Sequence, residues 1–335
     1  MNKFPIIALS ACFALLPLSA CGEKDKDGLK KVTINEVTHS IFYAPLYLAD
    51  SLGYFKDEGL KIELTNGGGA DNVMSAVLSG DADIGFCGPE AALYVAIGGS
   101  SDVPKVFGQL TKRDGSFLVS RKAEPNFQWT DLKGKEVLAG RKGGVPAMTF
   151  EYVLNANGLQ NPQDVKLNFD VAFNMMTSAF EGGTADYCTM FEPVASEYEA
   201  AGKGYVVASV GEASGEVPYT CFMAKESWLK KHGDRADGVL RAVTKATKYL
   251  METPLETVAP YLTAYFDATP VSSIVTSLKN YKAIDAWMTQ MAMTKDSFNR
   301  LQDIIDNAGE LEKRVEFDTL IDVTRAKKAY EEVYR

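Results

Sequence analysis

Histidine is nearly absent from this chain: only His39 and His232 occur, and neither stands in a group of Cys, His or carboxylate residues at ligand spacing. That excludes a zinc or iron centre built on the usual donors. No Gly-x-Ser-x-Gly elbow or other pairing of nucleophile and base is present, so no catalytic residue and no cofactor is assigned. Neither a G-x-G-x-x-G fingerprint nor a P-loop occurs, which leaves a nucleotide phosphate unsupported. Basic residues are outnumbered, 35 against 44 acidic ones for a net charge of −9, and they form no stripe of the kind that binds nucleic acid. Cysteine is sparse as well. Of five, Cys12 and Cys21 fall in the N-terminal leader, and the remaining Cys87, Cys188 and Cys221 are an odd number for a disulfide framework. Either Cys87 and Cys188 bridge two similar stretches or, the preferred reading, all three are small, partly buried residues.

The longest apolar run, from Phe4 to Leu18, is too short to span a bilayer and follows Lys3. With the small residues Leu18-Ser19-Ala20 ahead of Cys21 it reads as a signal peptide over 1–20. The tetrapeptide resembles the bacterial lipobox, which implies a lipid on Cys21, a polar tether over 21–31 and a mature chain anchored to the extracytoplasmic face of a membrane without crossing it. Because residues 1–20 contain only Lys3 among charged groups, the mature part holds 34 basic and 44 acidic residues, a net −10.

What the sequence does contain is a repeat. Asn66 to Ala91 reads as loop, helix, glycine stop, short strand and loop: Val73, Ala76 and Val77 recur at helical spacing, Gly80 stands at the C-cap, and Ala82, Ile84 and Phe86 alternate. Ala172 to Ala195 repeats the pattern more weakly, with Met175, Ala179 and Phe180, then Gly182-Gly183, then Ala185 to Cys188. A duplicated αβ unit about a hundred residues apart predicts two similar lobes. Each strand ends in a proline-bearing loop, Cys87-Gly88-Pro89-Glu90 and Phe191-Glu192-Pro193, where ligands of open α/β sheets sit against helix N-termini. Glu90 and Glu192 correspond by repeat position and read either as an acid and base pair or as solvated helix caps. Gly67-Gly68-Gly69 permits close approach of a ligand or backbone.

Along the chain, Lys31 to Val37 and Lys61 to Thr65 alternate as strands, with a helix opened by Thr38 to Pro45 between them. An apolar strand at Ser116 to Arg121 and another at Cys221 to Ala224, preceded by Pro218-Tyr219, are expected to carry the chain between lobes. From Glu226 onward the pattern is helical, with Trp228 and Trp287 read as core residues at helical positions.

The succession PLYLADSLGYFKDEGLKIEL, GGGADNVMSAVLSGDADIGF and TDLKGKEVLAGRKGG resembles ABC-transporter substrate-binding proteins of the branch for nitrate, sulfonates, taurine, riboflavin and thiamine pyrimidine precursors. The resemblance implies the periplasmic-binding-protein type II fold: two α/β lobes, 32–118 plus 222–335 and 119–221, joined by two crossing strands, with C-terminal helices packed on the first lobe. It further implies a monomer that closes on a small-molecule solute and delivers it to an ABC permease and its ATPase. The loop Arg141-Lys142-Gly143-Gly144 is implied to touch ligand, although it also reads as a solvated turn. The expected ligand site is His39, Phe42, Tyr43, Gly69, Cys87, Gly88, Glu90, Arg141, Gly143, Gly144, Glu192 and Tyr219. Aromatic faces with carboxylates and few cations favour a flat heterocycle with N–H donors over a small anion. Relatives of this fold that synthesise the pyrimidine carry a cysteine-rich loop and histidines, and the loop from Cys87 to Glu90 has no such cluster.

Overall fold

A computed structural model describes residues 28–335; the leader, Cys21 and most of the expected tether lie outside them. The chain enters on β1 (Lys30–Glu36) and a 3-10 turn (Ile41–Tyr43), then α1 (Ala44–Ser51), α2 (Tyr54–Asp57), β2 (Leu60–Asn66), α3 (Ala70–Ser79), β3 (Ile84–Cys87), α4 (Glu90–Ile97) and β4 (Pro104–Thr111). It continues through β5 (Ser116–Ser120), β6 (Glu136–Leu138), α5 (Val145–Ala156), β7 (Lys166–Leu167), α6 (Met176–Glu181), β8 (Tyr187–Phe191), α7 (Val194–Ala200), β9 (Tyr205–Ser209) and α8 (Val210–Ser214). After β10 (Thr220–Lys225) come α9 (Glu226–Glu252), α10 (Leu255–Val258), α11 (Val271–Ala283), α12 (Lys295–Asn307), α13 (Phe317–Leu320) and α14 (Thr324–Tyr334).

The strands form two sheets of five, ordered β2-β1-β3-β10-β4 and β7-β6-β8-β5-β9. In each, the strand that has just arrived from the other sheet is the antiparallel one: β10 against β3 and β4, β5 against β8 and β9. Ser116–Ser120 is paired on both sides within the second sheet, and Thr220–Lys225 within the first. A strand bonded on both edges is committed to its sheet, so the expected boundaries at 118 and 222 shift toward the links between strands. The chain crosses at 112–115 and returns at 215–219, and the two links are tied by hydrogen bonds from Val217 N–H to Lys112 C=O (2.8 Å) and Tyr219 N–H to Thr111 C=O (3.2 Å).

The repeat is visible in hydrogen bonding. Asp83 Oδ2 accepts from the Thr33 amide at 2.9 Å, and Asp186 Oδ2 accepts from the Glu136 amide at 2.9 Å. Each aspartate also donates its own N–H to the carbonyl of the same partner. The Asp of each Ala-Asp pair thus docks the helix-to-strand turn onto the neighbouring parallel strand, β1 in one lobe and β6 in the other. Gly80 caps α3 with a left-handed φ of 91°, as its position predicts. The alternation in β3 implied one solvated face, but Ile84, Gly85, Phe86 and Cys87 are all buried because β3 is an interior strand with packing on both faces. At Gly85 a Cβ would come within 2.9 Å of Val77 Cγ2, so the helix closes directly onto the strand.

The C-terminal helices pack mainly on the first lobe, α9 against α1 and α2, and α14 against α9 and β4. Two of them also reach the second lobe. Helix α11 touches α7, and α12 touches α5, with Asn155 Nδ2 donating to Asn307 Oδ1 at 2.5 Å. Trp228 lies in α9, half-buried, and donates Nε1 to Asp83 Oδ1. Trp287 is buried as expected but lies beyond the end of α11, bridged to Thr111 and donating Nε1 to the Phe42 carbonyl at 2.8 Å. Cys87, Cys188 and Cys221 are buried free thiols. The conceivable Cys87–Cys188 bridge is not made, because the two sit in different sheets.

Candidate functional site

Three helix starts converge between the lobes. Gly69 precedes α3, Glu90 is the first residue of α4, and Gly144 precedes α5, with Pro146 in its first turn. The first two come from strand ends of the first lobe, within the first copy of the repeat, and the third from a strand end of the second, the loop that the family resemblance implied. They enclose a cavity of about 50 Å³, room for about four waters. Its walls include Tyr43 from the 3-10 turn, Phe173 and Phe191 from the second lobe, and Tyr219 from the return link.

Glu90 is 1% exposed. Its Oε1 accepts from the Val145 amide across the lobes at 3.4 Å, while Oε2 has no hydrogen-bond partner. Burial pushes the carboxyl up to about 7, opposed by the Arg141 guanidinium and by the amides of Glu90, Val145 and Ala91. The carboxyl folds back over Gly88: a Cβ there would lie 2.0 Å from Oε2, so the glycine is what gives the side chain its place. Arg141 is half-buried and engages Asp71 of α3, Nε to Oδ1 3.3 Å, an ion pair between lobes. The phenols of Tyr43 and Tyr219 are buried, and desolvation raises both well above the usual range.

Of the twelve expected residues, Tyr43, Gly69, Gly88, Glu90, Arg141, Gly144 and Tyr219 line this cavity and five do not. Phe42 is fully buried behind it, its ring filling the space over Gly115 in the crossing link and packing on Tyr281. Cys87 is enclosed in the strand, with Sγ turned to the Gly88 carbonyl and Met223 Sδ. Gly143 lies in a neighbouring crevice, where its carbonyl accepts from the Tyr94 hydroxyl at 3.0 Å.

Glu192 and His39 line a second crevice further along the same interface. Glu192 does not mirror Glu90, because the order Glu-Pro in one copy and Pro-Glu in the other sets the carboxylates on opposite sides of the helix start. Its Oε2 accepts from the Ser196 amide at 3.0 Å, and its Oε1 accepts from the Ser196 hydroxyl at 2.6 Å and from Asn280 Nδ2 of α11 at 2.7 Å. Its backbone N–H donates to the Tyr281 hydroxyl and its carbonyl accepts from Ser40 Oγ. Its N–H, carbonyl and Oε1 hold the second lobe to the first, while Oε2 caps the start of its own helix α7. His39 lies between Glu36 Oε1 and the Tyr265 carbonyl, each 2.8 Å from one ring nitrogen. Both partners are acceptors, an arrangement that favours the protonated ring, and the bond to Glu36 is the main cause of a pKa raised above the usual value.

The cavity residues missed from the sequence include Phe173, Phe191, Val145 and Thr220. Registering the two copies on their prolines would have set Val194, not Glu192, opposite Glu90; no spacing signal singles out Phe173 or Phe191.

The NMT1/THI5-like family model matches residues 41–257. The chain belongs to this family. Over 97% of its length it is 40% identical to a Bacillus subtilis protein provisionally named binding protein YtlA, covering 96% of that protein. A 4-amino-5-hydroxymethyl-2-methylpyrimidine phosphate synthase of Schizosaccharomyces pombe is 22% identical over 66% of this chain and 65% of the enzyme. Among solved structures, the alkanesulfonate-binding protein SsuA of Xanthomonas axonopodis pv. citri superposes with a TM-score of 0.71 at 18% identity, covering 87% of this chain and 98% of that one. The nitrate-binding protein NrtA of Synechocystis PCC 6803 gives 0.73 at 14% identity over 91% and 89%. The ligand-binding component of an ABC-type import system from Staphylococcus aureus gives 0.71 at 14% identity over 89% and 98%. With two five-stranded sheets and these neighbours, this NMT1/THI5-like chain has the periplasmic-binding-protein type II fold.

Proposed function

We propose that this protein is an extracytoplasmic receptor that traps a small solute by closing its two lobes and hands it to an ABC permease and its ATPase. The observation that carries the reading is the cavity between the lobes, lined from both sides and bounded by two tied links at 112–115 and 215–219. The names of the Bacillus subtilis relative and the Staphylococcus aureus neighbour agree with it. Binding rather than catalysis is favoured because a single carboxyl lines the cavity, while Cys87 and Glu192 are turned elsewhere. Export by the leader and a lipid on Cys21 complete the proposal; Cys21→Ala should abolish acyl labelling and release the protein from membranes, and unchanged retention with no acyl modification would overturn the anchor.

The solute in this reading is a flat, single-ring heterocycle with N–H or amino donors, of the kind represented by a thiamine pyrimidine precursor. Tyr43, Phe173, Phe191 and Tyr219 offer ring faces, Glu90 Oε2 offers a free acceptor, and about four waters' worth of space suits one ring better than a three-ring flavin. The other reading, a small anion, draws on the sulfonate and nitrate neighbours and on the three helix starts. Against it, Glu90 already sits among those amides and Arg141 is engaged by Asp71. Mass spectrometry of solute carried through native purification, with calorimetry against pyrimidines, flavins and sulfonates, decides: tight sulfonate binding lost in Arg141→Ala ends the heterocycle reading.

A further inference from the structure

Glu90 is the only carboxyl among the residues lining the inter-lobe cavity, and closure treats it unevenly. The opposite lobe supplies Oε1 with one long hydrogen bond, from Val145 at 3.4 Å, and supplies Oε2 with nothing. The one cation in the lining, Arg141, directs Nε to Asp71. The remaining titratable groups facing Glu90 are Tyr43, Tyr94, Tyr219, Cys87 and Cys221, and burial holds every one of them neutral. An ionised carboxyl stripped of water with one oxygen unpaired is strongly disfavoured, so something must satisfy that oxygen when the lobes meet.

We infer that Glu90 gates closure: the lobes come together over this side chain only when a solute donates an N–H or O–H to Oε2, or when the carboxyl has first taken up a proton from solvent. The inference rests on the solute-receptor reading and adds a rule of selection to it. A donor-bearing solute closes the receptor over the carboxylate without net exchange of protons above the ordinary carboxyl range. A solute with acceptors only, an anion included, closes it with uptake of one proton, so that the Glu90 hydroxyl can donate. The rise of the buried carboxyl to about 7 agrees in direction.

Energy transfer between dyes on the two lobes of the full mature chain, without ligand, tests the gate directly. Between pH 8 and pH 5 the closed-to-open ratio should rise by about tenfold or more in the wild type. It should become independent of pH in Glu90→Gln. Asp114→Asn tests the other buried carboxyl, because burial pushes Asp114, in the crossing link, up to about 6 as well; a response lost in this variant and kept in Glu90→Gln would assign the gate to the link instead. A flat wild-type profile, or a response that survives in Glu90→Gln, overturns the inference. Calorimetry with two probes then tests selection: above the titration of its own ring nitrogen, from about pH 7 to 8.5, affinity for 4-amino-5-hydroxymethyl-2-methylpyrimidine should be flat, while affinity for ethanesulfonate should fall about tenfold per unit, the slope of one linked proton. Binding of both with equal pH profiles sinks the selection rule. If neither binds, the proposed solute classes fail while the ligand-free measurement still judges the gate.

Discussion

Arg141 of the second lobe turns its Nε to Asp71 Oδ1 of the first, 3.3 Å away, and leaves the buried Oε2 of Glu90 without a partner. Asp71 is largely exposed, so the pair itself adds little to stability. Its effect falls on Glu90. Asp71→Asn frees the guanidinium to turn inward and should lower the Glu90 pKa, whereas Arg141→Gln removes the opposing charge and should raise it. Carbon-13 titration of the glutamate carboxyls, with Glu90→Gln as the assignment control, reads both; shifts in the same direction would refute the coupling.

Gly88→Ala should leave the fold intact and damage the site. The new methyl would need the space of the Glu90 carboxyl, whose Oε2 lies 2.0 Å from its ideal position, so the carboxyl must leave its place in the cavity wall. Affinity for the pyrimidine probe should drop at least about tenfold, ~1.4 kcal/mol, with the thermal midpoint nearly unchanged. Wild-type affinity in a folded variant would show that the carboxyl does not meet the solute.

Glu192 should behave in the opposite way. Its carboxylate satisfies the Ser196 amide and hydroxyl and Asn280 at a 2% exposed position. Removing it in Glu192→Ala strands those donors and should cost about 1–3 kcal/mol in denaturant unfolding. A stability equal to wild type combined with a large loss of affinity would return Glu192 to the ligand site.

The ring of His39 ties Glu36 to the segment at Tyr265 and stacks on Phe266. Because its folded pKa is raised above 6.5, its contribution is fully present below that value and is lost as pH rises through the folded pKa. The difference in thermal midpoint between wild type and His39→Gln should therefore shrink as pH climbs from 6 toward 8.5. A constant difference would mean that packing, not charge, is what His39 supplies.

The sequence by itself determined the features that depend on neighbours along the chain. The spacing of Val73, Ala76 and Val77, the stop at Gly80 and the two Ala-Asp turns are local patterns, and they led to two α/β lobes and to Gly69, Gly88 and Glu90 at helix starts. Only the tertiary structure decided which of those side chains meet. Asn280 and Tyr281 approach Glu192 from helix α11, nearly ninety residues away, and take it out of the ligand cavity. Asp71 captures Arg141 from the other lobe, and the crossing lies in 112–115 because β5 is already paired on both edges. Tyr43, expected on an accessible wall, is 2% exposed because Phe86 and Thr220 close around it. Periodicity along a chain reports which face of an element is buried, whereas a charge or hydrogen bond between distant segments depends on how whole lobes approach, and no local spacing encodes that distance.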